Sequence, residues 1–318
     1  MMTRKPSTFE TVWLSAMNAA KVGLRDRTVI LLAGLFFAMV LISAYLGWSA
    51  TATVNAIYNK AVPVFLAQGI AVPPNPVGDT PPLSLFRNMV TYVALLGALA
   101  ALVLGHQVIA SDRKAGVLPL LFSRPISRIG LALGRIGALV LAIVFVLAAA
   151  GIVNVLTMLL LPGLSLNGAV WLGLTKFYGV SALYMLAFGL LGAICATVFA
   201  TESMALLVPV TIWLALTFIV PQITANIGPM AALNPQSVNL IPPTGQFFAA
   251  TSTLFGPLSI AESYRYLSAS VLEITSGAGG TTTTGGAFLS LLIANLALAG
   301  TFIFTFKRLD VCRSGYID

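Results

Sequence analysis

The sequence predicts an all-α integral membrane protein with six transmembrane helices, and three observations support this fold class. Of its 318 residues, 58% are hydrophobic and only 8% are charged, whereas soluble domains carry roughly 25% charged residues. The mean hydropathy is +0.97. The apolar segments run unbroken for about 18–30 residues, which suits membrane helices better than the ~10-residue alternating strands of a membrane barrel. Because lipid offers the backbone no hydrogen bonds, these segments must be helical.

An amphipathic helix over residues 7–25 is expected before the first span. Apolar side chains, Trp13 among them, recur at helical spacing, and Lys21 and Arg25 lie on the opposite face. This pattern is typical of a helix that lies in the membrane interface. The alternative is a cytoplasmic helix packed on the rest of the protein.

The predicted spans follow the apolar segments, and the polar stretches between them predict the loops. The spans are residues 29–48, 88–110, 130–161, 177–200, 204–221 and 287–306. Residues 49–87 contain six prolines, which cannot continue a helix, and predict an ordered or extended connector. Residues 222–286 are too polar to span and predict a segment on the outer, extracytoplasmic side.

One amphipathic helix is expected inside the segment 222–286. Ser259 and Glu262 have the spacing of a capping box, which starts a helix. We expect the apolar face of this helix to lie on the membrane, on the spans or on a partner. Its residues are Ile260, Tyr264, Leu267, Val271 and Ile274.

The distribution of basic residues predicts the orientation. With six spans, thirteen of the seventeen lysines and arginines fall on one side and four on the other. Positive charge is enriched in cytoplasmic loops, so both termini are expected in the cytoplasm. The four outer residues are Lys60, Arg87, Lys176 and Arg265. The same asymmetry accounts for the net charge of +8 without any nucleic-acid partner.

Several functional classes lack their residues in this sequence. No lysine follows a glycine, so the chain has no phosphate-binding P-loop, and any ATPase belongs to another chain. Cys195 and Cys312 have no disulfide or metal-ligand spacing, and His106 is expected to be a packed side chain. The span interiors hold almost no charged residues, which argues against an ion-coupled carrier. We therefore expect no enzymatic activity and no cofactor in this chain.

The segment 111–135 carries the most specific pattern. It reads Ser111-Asp-Arg-Lys-Ala-Gly-Val-Leu-Pro-Leu-Leu-Phe-Ser-Arg-Pro-Ile-Ser-Arg128 and continues to Arg135. It resembles the first cytoplasmic loop of type-2 ABC exporter permeases, with Asp112, Val117 and Pro119 as departures. The ending 306–310 and the overall layout are also similar to that family.

The resemblance implies that residues 111–128 are a loop that couples this chain to an ATPase. A short helix over 117–122, bounded by a glycine and a proline, could transmit movement to the adjacent spans. The alternative is an ordinary positively charged cytoplasmic loop. The residues implied in coupling are Asp112, Arg113, Lys114, Gly116, Leu118, Leu121, Arg124, Pro125 and Arg128.

The resulting hypothesis is a single permease domain, residues 1–318, in a bacterial inner membrane. The resemblance implies a homodimer with a second permease copy, driven by separate ABC ATPase subunits that bind ATP and Mg. Among such permeases, the chain most resembles those for copper-enzyme maturation, in which the outer segments can dock an extracytoplasmic partner. Residues 222–286 could therefore dock such a protein or act as a lid. The alternative is a non-transporting scaffold or mechanotransmitter that signals the state of the ATPase to such a partner.

Overall fold

A computed structural model describes residues 27–79, 81–123, 127–161, 167–235, 245–256, 259–274 and 283–309. All regular secondary structure within these ranges is helical, which confirms the predicted fold class. The predicted interfacial helix over residues 7–25 lies outside them.

Six helices in the described ranges are long and apolar enough to cross a membrane, in agreement with the predicted number. In chain order the helices are α1 (Arg27–Ala67), α2 (Pro76–Asp79), α3 (Pro82–Lys114), α4 (Leu118–Phe122), α5 (Arg128–Leu159), α6 (Gly168–Val198), α7 (Glu202–Thr224), α8 (Pro229–Leu233), α9 (Gln246–Phe255), α10 (Ile260–Val271) and α11 (Thr284–Lys307). The spans are α1, α3, α5, α6, α7 and α11. Two of them contain a π-helical turn, Val93–Gly97 in α3 and Ala215–Ile219 in α7.

The prediction of a connector directly after residue 48 is wrong. Helix α1 continues to Ala67, nineteen residues beyond Trp48, which adds about 28 Å at 1.5 Å per residue. Only one of the six prolines, Pro63, lies in this extension, and it is close to the helix end. The chain then returns along the extension, because the Tyr58 hydroxyl donates to the carbonyl of Pro73 at 2.8 Å.

Side-chain caps define where three spans begin. Ser127, Asn167 and Thr283 each accept a hydrogen bond from the backbone N–H three residues later, at the starts of α5, α6 and α11. Such caps satisfy one of the N–H groups that a helix start leaves free. The cap at Asn167 starts α6 nine residues before the predicted span at 177.

Helices α3 and α6 form the centre of the bundle and touch backbone to backbone. A Cβ added at Gly105 in α3 would lie 1.7 Å from the carbonyl oxygen of Gly189 in α6. One added at Gly192 would lie 2.1 Å from the carbonyl oxygen of Leu102. Both contacts require glycine, as in membrane helix pairs that approach through small residues. The other four spans surround this pair and expose apolar side chains outward.

Candidate functional site

The loop between α3 and α5 turns on one glycine. Gly116 has φ +63, a conformation that other residues rarely adopt. The N–H of Gly116 donates to the carbonyl of Arg113 and that of Val117 to the carbonyl of Asp112, both at 3.1 Å. These hydrogen bonds cap the end of α3 and turn the chain toward α4.

Helix α4 presents one leucine inward and another outward. Leu118 is 1% exposed, whereas Leu120 is 66% exposed. Pro119 is the second residue of α4, a position where proline does not break a helix. The side chain of Leu121 and residues 124–126, which include Arg124 and Pro125, lie outside the described part of the chain. The structure thus adds Leu120 as an exposed apolar residue that the sequence did not single out.

Arg113 points into the protein. The side chain is buried, and its two terminal nitrogens donate to the carbonyls of Phe199 at 2.7 Å and Thr197 at 3.1 Å. Those carbonyls belong to the end of α6, where a helix leaves its last carbonyl groups without partners. The positive guanidinium also suits the negative end of the helix dipole. Arg113 therefore fastens the loop between α3 and α5 to the end of α6.

Asp112 links α3 to α5. Its carboxylate accepts a hydrogen bond from the guanidinium of Arg135, and both side chains are largely buried. Lys114, in contrast, forms a half-exposed ion pair with Glu202 at 2.5 Å, at the start of α7. Such an exposed pair contributes little to stability, so the buried pair is the firmer connection.

Arg128 connects the far end of the loop to α11. Its guanidinium donates to the carbonyls of Lys307 at 2.7 Å and Leu309 at 3.3 Å. Together with the contacts of Asp112, Arg113 and Lys114, this bond gathers one end of α3, α5, α6, α7 and α11. These five ends lie together, as expected when successive spans cross the membrane in opposite directions.

Helix α10, which is predicted to lie on the outer side, is buried within the chain itself. Ile260, Tyr264 and Leu267 are buried, and Val271 and Ile274 are partly covered. Tyr264 contacts α6, since its hydroxyl lies 3.1 Å from that of Ser181. The expected apolar face thus packs on the protein's own spans.

A tyrosine pair connects α10 to α3. The hydroxyl of Tyr184 in α6 donates to the carbonyl of Ala94 at 3.1 Å, within the π-helical turn of α3. The ring of Tyr184 also stacks on the ring of Tyr264 in α10. π-helical turns occur frequently at functional sites. This connection could not be predicted from the sequence, because the residues are separated by 80 positions or more.

The predicted capping box at the start of α10 forms only in part. The Ser259 hydroxyl accepts from the N–H of Glu262 at 3.2 Å, as predicted. The Glu262 carboxylate does not bond back to the N–H of Ser259, which donates to the carbonyl of Gly256 at 3.1 Å. It accepts instead from the Thr224 hydroxyl at 2.6 Å, so it joins α10 to α7.

The comparison with known protein families agrees with this architecture. A family described as "ABC-2 family transporter protein" matches residues 13–311. The chain belongs to that family. No curated protein matches it significantly. The ABC-2 protein is therefore a multi-pass membrane component of ABC transport, and the family is not catalytic by itself. ABC-2 permeases typically work with an ABC ATPase.

Proposed function

We propose that this chain is the transmembrane permease subunit of an ABC transporter and acts as a homodimer driven by a separate ATPase chain. ATP and Mg²⁺ would bind that ATPase, and this chain would form the substrate path. The assembly would lie in a bacterial inner membrane with both termini in the cytoplasm.

The exposed Leu120 on α4 is the observation that supports ATPase coupling most strongly. A 66% exposed leucine, at the end of the bundle that the basic residues predict to be cytoplasmic, favours a protein partner with an apolar groove. Gly116 and the inward Leu118 hold α4 in place, so the leucine is presented on a short, anchored helix. Lys114 could add a polar contact at the rim.

The contacts around the loop indicate how movement would spread. A displacement of α4 would move α3 directly and α6 through Arg113. It would also reach α5 through the Asp112–Arg135 pair and α11 through Arg128. Hydrogen bonds to charged groups contribute about 1.5–3 kcal/mol each. We therefore expect these connections to stay intact when α4 moves. The buried tyrosine pair would extend the movement from α3 to the outer helix α10.

Co-purification with an ABC ATPase tests the proposal. We expect Leu120→Asp to lose most of a co-expressed ABC ATPase while inserting into the membrane normally. Ile70→Asp is the matched control, because Ile70 is 51% exposed at the opposite end of the bundle. Equal ATPase recovery for Leu120→Asp and wild type would contradict coupling through α4.

The second candidate function is a scaffold or mechanotransmitter. The buried contacts from α3 through Tyr184 to α10 favour it equally, because they could report the state of the ATPase to an extracytoplasmic partner. The resemblance to copper-enzyme-maturation permeases points to the same kind of partner. A substrate that stimulates ATP hydrolysis and crosses a reconstituted membrane would support the permease, and an ATPase stimulated only by an outer protein would support the scaffold.

A further inference from the structure

Arg265 in α10 differs from the other buried arginines of the described chain. Arg113 and Arg135 are also buried, but both terminal nitrogens of Arg113 and Nη2 of Arg135 have acceptors. Arg265 is 8% exposed, and its Nε and Nη1 have no hydrogen-bond partner among the described residues. A guanidinium stays protonated in proteins. A buried charge without a partner destabilises the folded state.

The nearest carboxylate in sequence does not pair with Arg265. Glu262 lies one turn earlier, but its carboxylate accepts from Thr224 at 2.6 Å. The ion pairs of the described chain are Lys114–Glu202 and Arg135–Asp112, so Arg265 forms none there. Burial lowers the pKa of Arg265 from its usual value, and the charge of Glu262 only partly opposes this effect.

The position of Arg265 also separates it from the other outer basic residues. Lys60, Arg87 and Lys176 are exposed, as expected for charges that only orient a membrane protein. Arg265 instead lies on a helix that packs among the spans, beside the first half of α6, where Val271 approaches Gly173 and Tyr264 contacts Ser181. This is the half of the bundle that the distribution of basic residues predicts to be the outer one.

We propose that Arg265 binds the phosphate of an amphipathic molecule in the outer half of the permease. The guanidinium presents paired N–H donors that match two phosphate oxygens, and the membrane location favours a lipid-like ligand over a free ion. Because Nε and Nη1 are covered by protein, the phosphate reaches them when α10 separates from its neighbours. That the ligand is a substrate rests on the proposed function, whereas its binding requires no ATPase.

Thermal unfolding of the purified full chain in a neutral detergent tests the proposal. We expect phosphatidylglycerol to raise the wild-type midpoint by several degrees in a saturable way, and a diacylglycerol, which has no phosphate, to leave it unchanged. Arg265→Met should unfold at or above the wild-type midpoint without lipid, since it removes an unpaired charge, and should lose the rise. Arg265→Lys should keep part of the rise. The control Arg87→Met removes an exposed outer charge and should keep all of it.

The other possible results either identify the source of the phosphate or contradict the proposal. A rise with inorganic phosphate as large as with phosphatidylglycerol assigns a free anion, and a rise with the lipid alone assigns a head group. Three results would overturn the inference: no rise in wild type with either anion, a rise that persists in Arg265→Met, or an Arg265→Met chain that unfolds several degrees earlier or does not fold. The last result would mean that the guanidinium already has acceptors in the folded chain. None of these results bears on ATPase docking at Leu120.

Discussion

The ring of Tyr264 in α10 stacks on the ring of Tyr184 in α6, with centroids 4.2 Å apart and planes inclined by 22°. Both rings are fully buried. Because the Tyr184 hydroxyl also bonds to Ala94 in α3, α10 is connected to the helix that ends at the loop proposed to contact the ATPase. A change at one end of α3 can therefore reach α10 without passing through solvent-exposed loops.

Replacing Tyr184 by Phe tests this connection. The substitution keeps the stacked ring but removes the hydrogen bond to Ala94, which we expect to lower stability by about 1 kcal/mol. We also expect ATP hydrolysis by the assembled complex to become less sensitive to ligands at the outer side. The measurement is the ATPase rate with and without the outer ligand, alongside the thermal midpoint. Unchanged stimulation would show that the tyrosine pair only stabilises the fold.

Replacing Gly105 by Ala tests the close contact of α3 and α6. The new methyl group would overlap the carbonyl oxygen of Gly189, 1.7 Å from the added Cβ, so the helices must separate. Such overpacking costs about 1–3 kcal/mol or more. Gly34→Ala is the control, because nothing lies within 4 Å of its added Cβ, and alanine favours the helix by up to about 1 kcal/mol. Equal thermal midpoints of the two variants would contradict the described packing.

Replacing Arg113 by Gln tests the link from the loop to the end of α6. The variant cannot bond both the Thr197 and Phe199 carbonyls with a charged group, and we expect a loss of about 2–3 kcal/mol in the free energy of unfolding. Lys114→Gln, which breaks only the half-exposed pair with Glu202, should cost less than about 1 kcal/mol. Unfolding in a denaturing detergent measures both. A larger loss for Lys114→Gln would show that Arg113 is not the firm connection.

The orientation can be tested by cysteine labelling in intact cells. In a background in which Cys312 is replaced by Ser, an impermeant thiol reagent should label Ile70→Cys from outside and should miss Leu120→Cys. Both positions are well exposed, and the native Cys195 is buried. Permeabilised cells provide the control, since position 120 should then react. Labelling at position 120 in intact cells would reverse the predicted topology.

The spans could be predicted from the sequence because each is a long run of apolar residues, and lipid requires such runs to be helical. The α1 extension could not, because residues 49–62 are compatible with either a helix or a loop, and the prolines that follow suggested a break. In the structure these residues are helical, and the segment that follows the helix returns along it, so that Pro73 contacts Tyr58. The contact between Gly105 and Gly189 was also hidden, since the sequence contains 28 glycines and spacing alone does not show which of them touch.

The position of the loop could be predicted from the sequence, but the directions of its side chains could not. The motif located the loop at 111–128, and Gly116 has the turn conformation that a boundary glycine implies. The directions of the side chains depended on contacts between residues far apart in sequence, such as Arg113 with Phe199 and Arg128 with Lys307. Asp112 and Arg113 therefore face inward, whereas Leu120, which no charge pattern marks, is exposed. The role of these residues in ATPase coupling stays a prediction.

Photo-crosslinking from position 120 tests the central claim most directly. A benzoyl-phenylalanine at Leu120 in the full chain, expressed in cells with its ABC ATPase, should form a covalent adduct with that ATPase on illumination, identified by mass spectrometry. The same probe at Ile70 should form no ATPase adduct. An adduct at 120 with the ATPase alone is the result that the account predicts. No ATPase adduct at 120, in cells where the ATPase co-purifies with the chain, would contradict coupling through this loop.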